Sequence, residues 1–307
     1  MRFSTTPIML AAAPSVASAL GTLGFALGAK QPDGSCKVQA DYEADFDAIS
    51  AASGSQVVRV YAAGQCNTAQ EILPAAKAKG FQVVLGIWAY PEESYQADKA
   101  AIVEFSPGYE AQVYAVAVGS ETLYRGEFDG AALAEKISDM KAATPDFKVG
   151  TADSWNKYQD GTADPVIGIS DILYDTHPRT AILYWRMQSG PRHQQRYKYF
   201  FDDINQAFDH IRAVAGDSTP ELWVGETGWP TGGTQYGAAV PSVENASRFY
   251  LEGVCGMVDT DVNVFFFEAF DEPWKPDSIG DDGSAADETH WGAMNADRTE
   301  KYDLKCS

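Results

Sequence analysis

Short runs of β-branched and other apolar residues recur eight times along the chain, and most are separated by longer segments with helical spacing of apolar and polar positions. Most runs are apolar almost throughout, which is typical of a parallel sheet whose two faces are both buried. The predicted strands are Thr22–Leu27, Gln56–Tyr61, Phe81–Trp88, Gln112–Val118, Phe147–Ala152, Asp171–Thr176, Leu222–Glu226 and Val262–Phe267. The clearest predicted helices are Ala40–Ala52, Ala69–Lys79, Gly130–Ala143, Phe201–Val214 and Ser242–Met257.

The repeated alternation of strand and helix predicts a single (β/α)8 TIM barrel. The main alternative is a doubly wound open sheet, which favours a glycine-rich phosphate loop after its first strand. The stretch Gly24–Gly28 at the first strand has neither a G-x-G-x-x-G nor a Walker pattern. No linker divides the chain, so we expect residues 20–307 to form one α/β domain.

Residues 1–19 have the pattern of a secretory signal peptide. Arg2 precedes the apolar stretch Pro7–Ala13, and Val16–Ala19 provides an A-x-A type cleavage site. The apolar run is far shorter than the roughly 20 residues that a membrane-spanning helix needs. We therefore expect cleavage after Ala19 and a secreted protein; a disordered or buried N-terminus is the alternative.

The composition narrows the classes of partner. The 307 residues carry a formal net charge of -20, and a surface that acidic repels phosphate backbones and anionic lipids. Nucleic acid and membrane surfaces are therefore not expected as partners, whereas a neutral substrate is compatible with the charge. Apolar residues make up 45% of the chain, enough for a sizeable core. We expect a monomer.

The four cysteines are too scattered to read as a zinc site. An even number in a secreted chain indicates two disulfides, for which three pairings are possible. Proximity in sequence favours Cys36 with Cys66 and Cys255 with Cys306, and buried free thiols are the alternative. Asn245 begins the chain's single N-glycosylation sequon, whose occupancy is left open.

A basic segment follows the sixth predicted strand. Between Thr176 and Phe201 there is no acidic residue, although the chain as a whole is strongly acidic. The basic residues are Arg179, Arg186, Arg192, Arg196 and Lys198. The segment is interpreted as a long surface loop or as a substrate-facing wall of the barrel mouth; an error in the gene sequence is a further alternative.

Two predicted strands end in a glutamate just past a glycine. Strand four ends in Val118-Gly119-Ser120-Glu121 and strand seven in Val224-Gly225-Glu226. Chemistry in a barrel is located at the carboxyl ends of the strands, and each glycine is expected to leave room for a ligand beside the carboxylate. Two carboxyls about 5–5.5 Å apart would suit retaining glycoside hydrolysis. Metal binding, another general-base reaction and purely structural glutamates are alternatives.

Four motifs resemble glycoside hydrolase family 17, the β-1,3-glucanases of plants and fungi, and most closely the fungal wall glucanases and β-1,3-glucanosyltransferases. They are Arg59-Val60-Tyr61, Val118–Glu121, Gly225–Pro230 and Phe270–Lys275. The resemblance implies that Glu226 is the nucleophile and Glu121 the acid/base. It also implies a β-1,3-glucan substrate, a site in the cell wall, and chemistry that requires no metal or cofactor.

Other residues are assigned to substrate binding on weaker grounds. Tyr61 is expected to hold the nucleophile or a sugar hydroxyl. Ser120 stands where many family members have Asn, and it can still hydrogen-bond a sugar hydroxyl. Trp229 and Trp274 are candidate platforms for the apolar face of glucose, with simple packing as the alternative. His177 follows strand six and is expected to line the cleft.

Three residues near the eighth strand complete the predicted site. Glu272 and Lys275 are expected to tune the nucleophile electrostatically; a plain surface ion pair is the alternative. Glu268 ends strand eight and is expected to bind sugar hydroxyls or brace the site, because a carboxylate there needs partners.

The resemblance leaves the acceptor undecided. Hydrolysis and glycosyl transfer share their first half-reaction. They differ in whether water or a sugar hydroxyl attacks the glycosyl-enzyme. The fungal resemblance favours transfer with some hydrolysis. A wall-resident glucan-binding protein with little turnover, and an unrelated barrel glycosidase, are the competing hypotheses.

Overall fold

Eight parallel strands close into a barrel in the computed structural model, which describes residues 20–176, 196–235, 239–276, 278–279 and 285–306. Each strand pairs with the next along the chain, and β1 pairs with β8. The strands are β1 Leu23–Ala26, β2 Val57–Arg59, β3 Gln82–Ile87, β4 Val113–Ser120, β5 Val149–Ser154, β6 Ile172–Thr176, β7 Glu221–Thr227 and β8 Asn263–Phe266. The predicted TIM barrel and the existence and order of its strands are confirmed.

Helices follow the strands and cover the outside of the barrel. They are α1 Gln39–Ser53, α2 Thr68–Lys79, α3 Glu92–Phe105, α4 Gly130–Ala143, α5 Trp155–Gln159, α6 Asp164–Ile167, α7 Arg196–Ala215, α8 Val243–Phe249 and α9 Cys255–Asp259, with a π-helical turn Tyr250–Val254 joining the last two. The Asp129 carboxylate caps α4 by accepting from the Ala132 amide at 2.8 Å. Within the described ranges, no helix has the length and apolar character that crossing a bilayer requires.

Aromatic side chains fill the interior of the barrel. Trp223 and Phe265 stack with their ring centroids 4.5 Å apart, and Tyr114 meets Trp223 edge-on at 5.4 Å. Tyr174 completes the layer against Phe265 at 6.1 Å. The barrel is therefore a packed core, and space for a ligand has to lie at an end of the strands.

Two disulfides join the predicted cysteine pairs, Cys36–Cys66 and Cys255–Cys306. The first connects the loop after β1 with the loop after β2. The second connects α9 with the segment that follows the barrel. The pairing favoured by sequence proximity is confirmed, and the alternative of free thiols is wrong.

Residues 293–306 form a post-barrel strap that crosses back to the strand ends. The Met294 amide donates to the Ala269 carbonyl at 2.9 Å, and the Tyr250 hydroxyl donates to the Leu304 carbonyl at 2.8 Å. The Lys301 ammonium donates to Asp271 and to Thr231, each at 2.6 Å. The strap thereby connects the loop after β7 with the loop after β8.

Three predictions fall on residues outside the described ranges. The predicted signal peptide 1–19 and His177 lie outside them, as does most of the basic segment 176–198. Their assignments stay predictions.

Candidate active site

Glu121 and Glu226 lie at the carboxyl ends of two strands that are three apart in the barrel. Their side chains are 19% and 12% exposed, respectively. Thr176 at the end of β6 connects them, because it pairs in register with Glu226 and its hydroxyl donates to Glu121 Oε1 at 3.1 Å. The structure therefore places the predicted nucleophile and acid/base in one site at the barrel mouth.

Arg59 is the buried cation beneath this pair of carboxylates. Its Nη1 donates to the Gly225 carbonyl at 2.8 Å, and its Nη2 donates to the Ser120 hydroxyl at 3.1 Å. Nη1 also lies 3.7 Å from Glu226 Oε2. One guanidinium on β2 therefore fixes the ends of β4 and β7, the two strands that carry the glutamates.

Tyr61 holds the predicted nucleophile directly. Its hydroxyl donates to Glu226 Oε2 at 2.6 Å. Burial, followed by the charge of Glu226, holds the pKa of Tyr61 well above its usual value, so the hydroxyl keeps its proton and remains a donor. The Tyr61 phenol and the nearby Arg59 guanidinium together hold the Glu226 carboxyl in place at the end of β7.

Glu121 has a different environment. Burial and the charge of Glu226 raise the pKa of Glu121 to about 7, against smaller opposing effects of the Thr176 hydrogen bond and the Arg125 charge. A carboxyl with such a pKa holds a proton near neutral pH and can deliver it. The two glutamates thus meet the requirement that an acid and a nucleophile in one site differ in their surroundings.

The loop after β4 presents Glu121 to the mouth. Gly119 has a φ of +84° and Glu121 itself has a φ of +56°, so the chain leaves the strand in a left-handed conformation. Asp153 on β5 fixes the following turn, since its carboxylate accepts from the Leu123, Tyr124 and Ser154 amides at 2.7, 3.1 and 2.8 Å.

The glycine beside the predicted nucleophile does not leave room for a sugar, which corrects the expectation from sequence. A Cβ built at Gly225 would lie 2.4 Å from the Tyr174 Cβ, so the protein itself fills that space. At Gly119 a Cβ would lie 2.4 Å from the Thr122 hydroxyl oxygen. These glycines permit close packing and a left-handed turn, and the strand ends carry their glutamates on a tightly packed backbone.

Glu268, Glu272 and Lys275 form a buried charge cluster near Tyr61. The Lys275 ammonium lies 3.0 Å from Glu268 Oε1 and 2.9 Å from Glu272 Oε2. Both carboxylates are buried, so the surface ion pair considered as an alternative is wrong. Lys275 also lies 4.8 Å from the centre of the Phe267 ring, and that ring meets Tyr61 edge-on at 6.3 Å. The cluster therefore supports the residue that holds Glu226.

The two tryptophans behave differently. Trp229 is 1% exposed, packs on Phe249 and donates from its indole N–H to the Val240 carbonyl at 3.2 Å. Its assignment as a sugar platform is wrong, because its ring is part of the core. Trp274 is partly exposed, with the Lys30 ammonium 4.5 Å from its ring centre. A sugar-binding role for Trp274 stays a prediction.

Several residues at this site belong to none of the motifs recognised in the sequence. Asp153 on β5 and Thr176 on β6 contact Glu121 or its loop, and Arg125 pairs with Glu121 from the loop itself. Trp88 lies directly after β3 with the Arg125 guanidinium 5.0 Å from its ring. Position in the sequence could have indicated three of them, because Trp88, Asp153 and Thr176 lie at or next to strand ends, as the predicted site residues do.

Across the described ranges, His, Cys, Asp and Glu side chains form no group of three or more that could hold a metal ion.

Stability is expected to fall as pH rises above about 4. Burial raises the pKa of Asp153 to about 6, and it raises the pKa values of Asp175 and Glu268 well above their usual range. The folded protein then holds more protons than the unfolded chain between about pH 4 and the raised pKa values, so stability declines across that window. For Asp153 alone the cost of ionisation is on the order of 3 kcal/mol.

Thermal denaturation from pH 4 to 9 measures this dependence. The melting temperature is expected to be higher at pH 5 than at pH 8. An equal or higher melting temperature at pH 8 would contradict the prediction. Asp139, whose pKa is lowered by its Lys99 and Tyr95 hydrogen bonds, works in the opposite direction only as pH falls below about 4.

Comparison with known proteins identifies the family. The BtgE/BtgC glycoside hydrolase domain matches residues 24–292. The chain belongs to this family. The matched range of the BtgE/BtgC domain contains both glutamates and all four motifs, and the resemblance to glycoside hydrolase family 17 is confirmed.

Two glucan 1,3-beta-glucosidases are similar to this chain over nearly their whole length. A glucan 1,3-beta-glucosidase of Arthroderma benhamiae is 52% identical, with 100% of this chain and 98% of that protein covered. A glucan 1,3-beta-glucosidase of Saccharomyces cerevisiae is 41% identical, with 100% and 99% covered. The crystal structure of a glycoside hydrolase family 17 beta-1,3-glucanosyltransferase from Rhizomucor miehei superimposes with a TM-score of 0.74 at 25% identity, covering 92% of this chain and 97% of that one. This BtgE/BtgC family member is therefore a glycoside hydrolase in both sequence and fold.

Proposed function

We propose that the protein is a retaining enzyme that cleaves β-1,3-glucan through a covalent glycosyl-enzyme and passes the glycosyl group to a sugar hydroxyl or to water. The observation that carries the proposal is the contrast between the two glutamates at the barrel mouth. Glu226 is held by the Tyr61 hydroxyl and faces the Arg59 guanidinium, whereas the pKa of Glu121 is raised to about 7. The relatives named as glucan 1,3-beta-glucosidases support the substrate.

In the first half-reaction the Glu226 carboxylate attacks the anomeric carbon. The bond from that carbon to the leaving oxygen breaks, and the leaving oxygen takes the proton from Glu121. Tyr61 and Arg59 hold Glu226 in place for the attack, and Thr176 orients Glu121. The product is a glycosyl ester on Glu226 and an ionised Glu121.

Forming the ester changes the protonation of the second glutamate. The charge of Glu226 is one cause of the raised pKa of Glu121, and that charge disappears when Glu226 is esterified. The pKa of Glu121 therefore falls, and the carboxylate can accept a proton from the incoming hydroxyl. Water as the incoming group gives hydrolysis, and a sugar hydroxyl gives a longer glucan.

We favour transfer accompanied by hydrolysis. The family 17 neighbour from Rhizomucor miehei is named a beta-1,3-glucanosyltransferase, which supports this choice. Chromatography of the products formed from a linear β-1,3-glucan oligosaccharide of one defined length distinguishes transfer from hydrolysis. Products longer than the starting material are expected. Shorter products alone would show a hydrolase, and an unchanged substrate would favour a glucan-binding protein with no turnover.

Proton NMR during the first minutes of the same reaction tests the stereochemistry. Retention requires that the new reducing ends, or the new linkages, have the β configuration before mutarotation. An α product formed first would show inversion and would remove Glu226 from its proposed role.

We also propose that the protein is exported and acts in the cell wall, with residues 1–19 removed. The signal-like sequence of that segment and the glucan named for the relatives support this localisation. Asn245 is the proposed glycan site; its Nδ2 donates to the Val240 carbonyl at 2.9 Å in the first turn of α8. Mass spectrometry of the exported protein tests the removal of residues 1–19 and the glycan on Asn245. Leu20 is the expected first residue.

A further inference from the structure

The Arg125 guanidinium lies beside the carboxylate that acts as acid/base in the proposed reaction. Its Nη1 is 3.6 Å from Glu121 Oε2, and its Nη2 donates to the Ser120 carbonyl. The Arg125 amide also donates to the Glu121 carbonyl at 2.9 Å. Arg125 therefore contacts both the backbone and the side chain of the segment that carries the acid/base.

Other contacts fix the position of this guanidinium. Its Nε donates to Glu127 Oε1 at 3.0 Å, and its Cζ lies 5.0 Å from the centre of the Trp88 ring. Stacking on an aromatic face and a carboxylate partner together restrict a side chain that would otherwise lose much rotamer entropy on ordering. The cation is thus in place beside Glu121 before substrate arrives.

We propose that Arg125 is a positioning residue that holds Glu121 at the barrel mouth and sets the balance between the protonated and ionised forms of Glu121. This inference rests on the proposed function. A nearby cation stabilises the ionised form of a carboxyl. Arg125 thereby limits how strongly Glu121 retains its proton, which matters most in the second half-reaction, when Glu121 must act as a base.

The other groups that face Glu121 set the context for this effect. From β7, Glu226 opposes ionisation while it is free, and from β5, Asp153 opposes it throughout. From β6, Thr176 donates a hydrogen bond that favours the carboxylate. On β2, Arg59 reaches the Ser120 hydroxyl and Glu226. Arg125 is the cation for which the described residues show an ion pair with Glu121.

Removal of the Arg125 charge is expected to shift the activity profile to higher pH. Without that charge, Asp153 and Glu226 oppose ionisation of Glu121 with less compensation, so the pKa of Glu121 rises. The basic limb of kcat/KM, which reports loss of the acid's proton, is then expected to move up by about half to one pH unit in Arg125→Gln. The ion pair is partly exposed, which keeps the shift at this size.

The experiment compares three variants on one defined β-1,3-linked oligosaccharide from pH 3 to 9. Arg125→Gln removes the charge, and Arg125→Lys keeps it while losing the fork of hydrogen bonds. Arg248→Gln is the matched control, because Arg248 is 31% exposed against 33% for Arg125 and also pairs with a glutamate, at 2.9 Å. The limb is expected to shift in Arg125→Gln, to lie near wild type in Arg125→Lys, and to be unchanged in Arg248→Gln.

Two outcomes would overturn the inference. In the first, kcat/KM of Arg125→Gln is lower by the same factor at every pH and the limbs of its pH profile do not move. That result would indicate a role in sugar binding or loop stability alone. The other is an equal shift in Arg125→Gln and Arg125→Lys, because charge would then not be the cause. Glu121→Gln is measured alongside: if that variant keeps its activity, the proposed function itself fails, whereas an inactive Glu121→Gln with an unshifted Arg125→Gln rejects the role of Arg125 only.

Discussion

Glu226→Gln is expected to lower kcat on a β-1,3-linked oligosaccharide by about 10⁵-fold, the scale of losing a nucleophile. The amide is nearly isosteric and can still accept from Tyr61, so the fold is expected to persist. What disappears is the charge that attacks the anomeric carbon and forms the ester. The measurement is the initial rate of product formation, with the exposed helical residue Glu244→Gln as the control.

Glu121→Gln is expected to lose less, about 10²–10⁴-fold, because general acid–base catalysis contributes on that scale. An aryl glycoside with a good leaving group requires little protonation, so the first half-reaction of Glu121→Ala should recover on that substrate. Azide should then accelerate the second half-reaction and give a β-glycosyl azide, since it needs no general base. Azide rescue of Glu226→Ala with an α product would be consistent with its role as nucleophile. If both glutamine variants stay near wild-type rates, the assignment of both residues is wrong.

Arg59→Met is expected to lower both stability and turnover. Arg59 is buried and donates to Gly225 and Ser120 while it faces the Glu226 carboxylate. Removal of one partner from a buried charged network typically costs about 3–5 kcal/mol of unfolding free energy, because the remaining charge and acceptors lose their compensation. Turnover per folded molecule is also expected to fall, by roughly 10²-fold or more, because both glutamates lose their common anchor.

Chemical denaturation and single-temperature kinetics separate the two effects of Arg59→Met. Arg298→Met is a suitable control because Arg298 Nε lies 2.8 Å from Asp45, another buried carboxylate, through which the strap contacts α1. That variant is expected to lose stability but to keep its kcat within about twofold. A stable Arg59→Met enzyme with wild-type kcat would show that the guanidinium does not organise the site.

The barrel could be predicted because its strands are buried on both faces. The run from Val113 to Val118 is buried apart from the half-buried Tyr114, and the sequence shows this as an apolar stretch. Helix α3 gave a weaker signal. Its buried residues include Asp98, which accepts from the Gly64 and Trp88 amides at 2.7 Å each. A buried carboxylate that satisfies backbone donors looks in sequence like an exposed polar position.

The site was predictable only in part, for a similar reason. Glu121, Glu226 and Tyr61 were found because they lie in recognisable motifs at strand ends. The contact from Thr176 to Glu121 spans 55 residues, and no local pattern reports it. Trp229 lies in the same motif as Glu226 yet packs into the core. A motif identifies which residues occur together, but the direction of each side chain depends on the packing around it.

The position of Lys301 in the chain has a consequence for the order of assembly. All eight strands precede it, so the barrel can close before Lys301 reaches Asp271 and Thr231. Lys301 then joins the loops that follow β7 and β8, with Cys255–Cys306 securing the strap beyond it. A nascent chain that has completed its sheet would thus still lack the contact that joins the loops after β7 and β8.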